Sequence, residues 1–145
     1  MLVLLRTTAG WGPVLVRLAL GVIFIAHGGQ KLFGLFGGPG WAGTSESFGK
    51  MGIPAPLTAL AAVAEFFGGL GVLVGLLTRV AAFGIACVMV VATLKVHLPH
   101  GFFLQNQGYE YTFALLCGAV SLMVSGGGAV SIDGLIARRA GARPT

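Results

Sequence analysis

The chain has 145 residues, 56% of them hydrophobic and 9% charged, with a mean hydropathy of +0.93. An ordinary soluble domain carries about a quarter charged residues, so a water-soluble fold is excluded, and the length leaves no room for a Rossmann, P-loop or other large soluble catalytic domain beside membrane spans. The formal net charge of +5 does not signal nucleic acid, because the basic residues form no stripe with interleaved aromatics and sit at the ends of apolar runs.

The expected fold is all-α: a bundle of four transmembrane helices forming a single domain over residues 1–145. The apolar stretches run from about 13 to 36, 56 to 77, 80 to 98 and 109 to 130. Each is long enough, at about 1.5 Å per residue, to cross a hydrocarbon core of about 30 Å. Helices are required because a span must satisfy its own backbone in lipid.

Arg17, His27 and Lys31 lie inside or beside the first run, which argues against a cleaved signal peptide. The connection over 37–54 opens with Gly-Gly-Pro-Gly, and Trp41, Thr44, Ser45, Phe48 and Met51 follow near helical spacing. It reads as a short interfacial amphipathic helix with Thr44 as its N-cap. In the second run Ala64, Gly68, Gly71 and Gly75 form a small-residue ridge suited to close helix packing. Gly-Leu-Leu-Thr-Arg at 75–79 is a minimal turn, so the second and third spans are antiparallel neighbours. After the fourth run, 131–139 reads as a stub helix with Ile132, Leu135 and Ile136 on one side and arginines beyond.

An even number of spans puts both termini on one side. Arg6, Arg79, Arg138, Arg139 and Arg143 lie there, against Lys50 in the opposite loops and Lys31 and Lys95 near helix ends. The positive-inside rule makes the Arg side cytoplasmic. Ionisable groups within the spans then stand out, since each costs at least about 2.5–3.5 kcal/mol in a bilayer. Counting from the helix ends puts His27 and Glu65 roughly 13 Å below the outer boundary. Lys31 lies one turn above His27 on the same face, and Lys95, His97 and Glu110 lie near the outer ends of the third and fourth spans. Gln30, His100, Gln105, Asn106 and Gln107 share that half, while Arg17 is expected to snorkel to the inner surface. The expected site is therefore a polar pocket open to the outer face, roofed by the 37–54 loop and floored by apolar packing.

Each of these residues also has a purely structural explanation. Glu65 paired with Lys31 or His27 would fix helix register, and Glu110 would be favoured by the helix dipole. Trp41, Tyr109 and Tyr111 suit an interfacial aromatic belt, and Lys95, His97 and His100 a solvated boundary. The three histidines have no HxxH or HExxH spacing within one predicted span, so no metal site is expected. Cys87 and Cys117 form no CxxC and fall at different depths in apolar surroundings, which suits unreactive thiols.

Three segments resemble the DoxX family. Arg17-Leu-Ala-Leu-Gly21 through His27-Gly28-Gly-Gln-Lys31-Leu-Phe-Gly34 is similar to its first-helix signature. Glu65-Phe-Phe-Gly68-Gly-Leu-Gly71 with Gly75-Leu-Leu-Thr78-Arg79 resembles its second-helix motif. His97, Phe102-Phe103 and Gln107-Gly108-Tyr109-Glu110-Tyr111 resemble its third-to-fourth helix signature. The resemblance implies a four-helix protein of a bacterial inner membrane. The family name comes from a subunit of a thiosulfate:quinone oxidoreductase; other members are associated with membrane complexes handling thiol and oxidative stress, and distant relatives act as chaperones or accessory proteins. It carries over Arg17, Gly28, Lys31, Glu65, Gly68, Arg79, Gly108 and Glu110 as signature positions, with Arg17, Gly28, Gly68, Arg79 and Gly108 read as structural.

Two functions follow as expectations. In the first, the chain is the membrane subunit of a redox complex with a partner protein, and a quinone occupies the outer pocket. His27 or Lys31 would donate to a quinone carbonyl, and Glu65 or Glu110 would carry protons. Gln30, Trp41, His97, Gln107 and Tyr109 would line the ligand. In the second, the chain is a non-catalytic scaffold or assembly factor, and the polar residues only fix the fold. A homo-oligomer is compatible with either. A proton or solute pathway is disfavoured, because the inner half lacks the polar residues a continuous route requires.

Overall fold

The computed structural model describes Leu5 and residues 7–140, so Arg6 and Arg143 of the topology argument lie outside the described residues. Among the described residues these α-helices follow in order: α1 (Gly12–Phe33), α2 (Gly40–Lys50), α3 (Ala55–Val74), α4 (Thr78–Ala92), α5 (Glu110–Ser125) and α6 (Ile132–Arg139). α4 continues through a π-helical stretch, Thr93–His97, and a 3-10 turn, Leu98–His100. Four of the helices, α1, α3, α4 and α5, form an antiparallel bundle. One end of it holds the turn between α3 and α4, and is called the turn end below. The other holds the connections 34–54 and 101–109, and is called the loop end.

Local chemistry sets the boundaries. Pro13 and Pro56 occupy first turns of α1 and α3, where a missing N–H costs nothing. Gly34 (φ +69°) and Gly75 (φ +71°) terminate them in the left-handed region, and their N–H groups close on carbonyls of the last turn. α4 restarts at Thr78, so the connection is as short as the sequence suggested.

Among the described residues three helices, Gly12–Phe33, Ala55–Val74 and Thr78–His100, are long and apolar enough to cross a membrane. α5 is shorter than the expected 109–130, ending at Ser125. Its 16 residues reach about 24 Å. The run Gly126–Gly128 stops it: Gly126 and Gly128 both have positive φ, and the chain turns back toward α1. Hydropathy alone reads through those glycines as apolar.

The core consists of Leu20, Phe24, Val72, Ala82, Ile85, Ala86, Met89, Leu115, Ala119 and Leu122. Around it Leu15, Val22, Leu60, Phe83, Phe113 and Val124 point outward, a surface that suits acyl chains and not water. Cys87 and Cys117 are exposed on that same apolar surface.

Glycines set how closely α1 and α3 cross. A Cβ on Gly28 would lie 2.5 Å from Phe66 N, one on Gly69 2.7 Å from Ile25 N, and one on Gly21 2.7 Å from Leu73 Cβ. Main chains therefore touch along this seam, as small-residue packing in membranes allows. The ridge read from the sequence serves the opposite face of α3. There Gly68 and Gly71 meet Ala81, and Ala64 meets Gly84, so it joins α3 to α4.

Candidate functional site

Lys31 and Glu65 are brought together across the α1–α3 seam. Lys31 Nζ donates to Glu65 Oε2 at 2.5 Å, with the two side chains 19% and 4% exposed. Helix direction explains how residues at different depths meet. A Cα–Cβ bond leans toward its own helix N-terminus. Lys31 therefore leans inward from the loop end, while Glu65, about 15 Å down α3, leans up toward it. The lysine bends into the bundle instead of snorkelling out. Removing either charge would strand the other in a low-dielectric interior.

Helix α2 covers this seam at the loop end. Its N-cap is Pro39, so Thr44 is not the cap the sequence suggested. Thr44 is instead buried in mid-helix, and its hydroxyl donates to Lys31 O at 3.3 Å. Gly38 packs against the Gln30 main chain, too tightly for any Cβ. On the outer face of α2, Glu46 and Lys50 form an exposed i,i+4 pair at 2.6 Å.

The remaining expected site residues divide. His27 is exposed on α1 and makes no hydrogen bond among the described residues, so it does not bridge to Glu65. Trp41 is also exposed. A second loop-end cluster surrounds the 101–109 connection. Glu110 Oε1 accepts from Leu104 N at 2.5 Å, and Glu110 N donates to Phe102 O. His97 Nδ1 lies 2.7 Å from Gln107 O, and Tyr109 stands edge-on to Phe102 at 5.3 Å. A Cβ on Gly108 would fall 2.4 Å from the Phe102 carbonyl carbon, so only glycine lets the loop close. Thr93 Oγ1 donates to Thr112 Oγ1 at 2.8 Å and ties the π-helical stretch to α5. Glu110, His97, Gln107 and Tyr109 thus brace one loop. No hydrogen bond among the described residues joins them to Lys31 and Glu65.

The turn end overturns the expectation that Arg17 snorkels to the inner surface. Arg17 is 4% exposed and does not snorkel. Its guanidinium donates to Val72 O, Leu73 O, Gly127 O and Val130 O at 2.6–2.7 Å. Those carbonyls belong to the last turn of α3 and to the connection after α5, where helical partners are missing. Gly75 admits this arrangement, since a Cβ there would lie 2.7 Å from Arg17 Cζ and 2.6 Å from Ser131 Cβ. Arg79 donates to Met123 O at 2.6 Å and joins α4 to α5.

Asp133 is the acid that sequence reasoning missed. It is 1% exposed, and its two carboxylate oxygens accept from Leu77 N at 2.7 Å and Thr78 N at 2.8 Å. It therefore caps α4 from the first turn of α6, using a negative charge at a helix N-terminus. Ser131 caps α6 itself, accepting from Gly134 N. The Ser-x-Asp spacing signals that local cap but not the distant one. Thr7 completes the end, its hydroxyl bonding both the carbonyl and the N–H of Gly128. In α6 the buried side is Asp133, Gly134 and Ala137, while Leu135 and Ile136 face outward.

A groove of about 680 Å³ lies at the turn end, between α1, the end of α3 and α6. Among the described residues no three His, Cys, Asp or Glu side chains gather in a way that could hold a metal ion.

Comparison with known proteins matches the DoxX family model to residues 12–98. The chain is 30% identical to "Putative oxidoreductase CatD" of Bacillus subtilis strain 168, over 84% of this chain and 84% of that protein. It is 28% identical to "Inner membrane protein YqjF" of Escherichia coli strain K12, over 88% of this chain and 94% of that one. It is 35% identical to "Uncharacterized membrane protein Rv3486" of Mycobacterium tuberculosis strain H37Rv, over 88% of this chain and 82% of that one. No solved structure matches the chain significantly. The family match across the first three spans, the membrane-protein relatives and the all-helical apolar bundle agree: this chain is an integral membrane protein of the DoxX family.

Proposed function

We propose that this protein is the membrane subunit of a redox complex, and that it holds the head of a quinone beside Lys31 and Glu65 beneath α2. The observation that carries this reading is the Lys31–Glu65 pair, an ionic contact enclosed in a bundle whose sides carry exposed apolar side chains. An ionisable group at that depth is a functional candidate by default. The residues present fit such a ligand. Lys31 spends one N–H on Glu65, and its other two make no hydrogen bond among the described residues, so a carbonyl oxygen can be received there. The name of the Bacillus subtilis relative points the same way.

A bound quinone would supply a two-electron, two-proton acceptor dissolved in the bilayer, with a partner protein delivering the electrons. Lys31 Nζ would orient one carbonyl, and Glu65 would neutralise Lys31 and hold a proton at Oε1 or Oε2. α2, seated through Thr44, would exclude water from that contact. The arginines at the turn end support a cytoplasmic location for that end, and the name of the Escherichia coli relative supports an inner membrane.

The test is quinone retention. Protein extracted with its lipids by mild detergent is expected to carry quinone well above the bulk lipid ratio, and Lys31→Met to lose most of it. Bulk-level quinone in the wild type, or full retention in folded Lys31→Met, would overturn the reading.

One observation favours a scaffold instead. Glu65 is already satisfied by Lys31, and Glu110 by the loop it braces, so both acids have structural work. On that reading a Lys31→Met/Glu65→Leu double variant keeps both its fold and its partner protein. Loss of the partner's redox activity with assembly intact would decide for the first reading.

A further inference from the structure

We infer that the turn-end groove is a binding site for one anionic phospholipid, with its phosphate on Arg138 and an acyl chain along α1 and α3. The inference is independent of the Lys31–Glu65 reading, since the groove lies at the opposite end of the bundle.

The volume of about 680 Å³ falls within the range of roughly 300–1,000 Å³ seen for small-molecule sites. Leu18, Val74 and Leu135 give the groove an apolar lining, and Trp11, Arg17 and Arg138 line it as well. Leu18, Val74 and Leu135 are all exposed, so lipid tails and not water would meet them in a bilayer. Trp11 is 66% exposed at the start of α1, the depth where indole rings sit among headgroups.

Charge selects the headgroup. Arg17, Arg79, Arg138 and Arg139 lie at this end, and the one described carboxylate there, Asp133, is occupied by two backbone N–H groups. The end is therefore strongly cationic. Arg17 is committed to four carbonyls and supplies field more than contact. Arg138 differs. Its Nε donates to Gly134 O at 3.2 Å and its Nη2 to Ala129 O at 3.4 Å, which holds the guanidinium in place. Its Nη1 makes no hydrogen bond among the described residues and is presented to an incoming oxyanion. Basic pockets between spans are known receptors for anionic lipid headgroups. A zwitterionic lipid would satisfy the walls but not the charge.

Trp11 is a built-in reporter. In Trp41→Phe protein, placed in phosphatidylcholine bilayers, Trp11 is the remaining tryptophan. Brominated phosphatidylglycerol should quench it at several-fold lower mole fraction than brominated phosphatidylcholine. Arg138→Gln should erase that preference, and Arg138→Lys should keep most of it, because a phosphate accepts a point charge. Because Arg138 is exposed, both variants should unfold like their parent. Equal quenching by the two lipids, or a preference that survives Arg138→Gln, would overturn the site. So would displacement of the brominated phosphatidylglycerol by equimolar quinone.

Discussion

The two ends of the bundle hold their cations in different ways. Every described arginine lies at the turn end, and every lysine at the loop end. Arg17, Arg79 and Arg138 donate to main-chain carbonyls, whereas Lys31 and Lys50 pair with the carboxylates of Glu65 and Glu46. The difference follows from shape. A guanidinium presents five donors in a planar fork and can serve several unpaired carbonyls where helices stop, while an ammonium is a point charge that one carboxylate can neutralise. The turn end's arginines are thus spent on backbone carbonyls, with the Asp133 carboxylate capping α4 beside them. The loop end is closed by side-chain pairs, which can be exchanged or neutralised, and it is the end where ligand chemistry is proposed.

Breaking the turn end should cost most. Arg17→Gln would leave the carbonyls of Val72, Leu73, Gly127 and Val130 short of donors, and a hydrogen bond from a charged group contributes about 1.5–3 kcal/mol. The expected outcome is protein that fails to run as a monodisperse species in size-exclusion chromatography. Arg17→Lys should lose at least about 3 kcal/mol, read by unfolding in mixed detergent micelles, because a single ammonium cannot reach all four carbonyls. Wild-type stability in Arg17→Lys would show that charge alone closes this end.

The loop end should respond as a pair. Lys31→Met and Glu65→Leu are each expected to destabilise by about 3–5 kcal/mol, because each strands a buried charge. The double variant should recover most of that loss, giving a coupling of at least about 2 kcal/mol in a double-mutant cycle. Additive losses would mean that the two residues do not act as one unit.

Two smaller effects sharpen the contrast. Asp133→Asn keeps an acceptor for Leu77 and Thr78 but removes the charge at the α4 N-terminus, so a loss of about 1–2 kcal/mol is expected. Hydrogen exchange should accelerate at those two amides first, and uniform acceleration would argue against a local cap. Glu46→Gln should change stability by less than about 0.5 kcal/mol, since both partners of that pair are largely in solvent. A larger loss would assign the α2 surface a role beyond covering the seam.

Much of this architecture was legible because it rests on local pattern. Three spans, the short turn before Thr78, the helix near 40–50 and the stub near 131–139 follow from hydropathy, glycine placement and spacing. The link between Lys31 and Glu65 was also foreseeable, because an apolar chain offers a buried acid few other partners. The misplaced polar groups failed for one kind of reason. Depth counted along a helix says how far a group lies from the boundary, but not which way it turns. Arg17 counts as a snorkelling residue until α3 and the 126–131 connection bring carbonyls to it. His27 and Lys31 are one turn apart, yet only Lys31 falls inside the seam.

The sequence by itself determined that this chain lives in a membrane, in how many apolar segments, and which polar groups must find partners there. Only the tertiary structure decided the partners. Hydropathy and helical period are properties of neighbours along the chain, whereas partner choice depends on how closely two helices cross. That distance is set here by Gly21, Gly28 and Gly69, where main chain meets main chain.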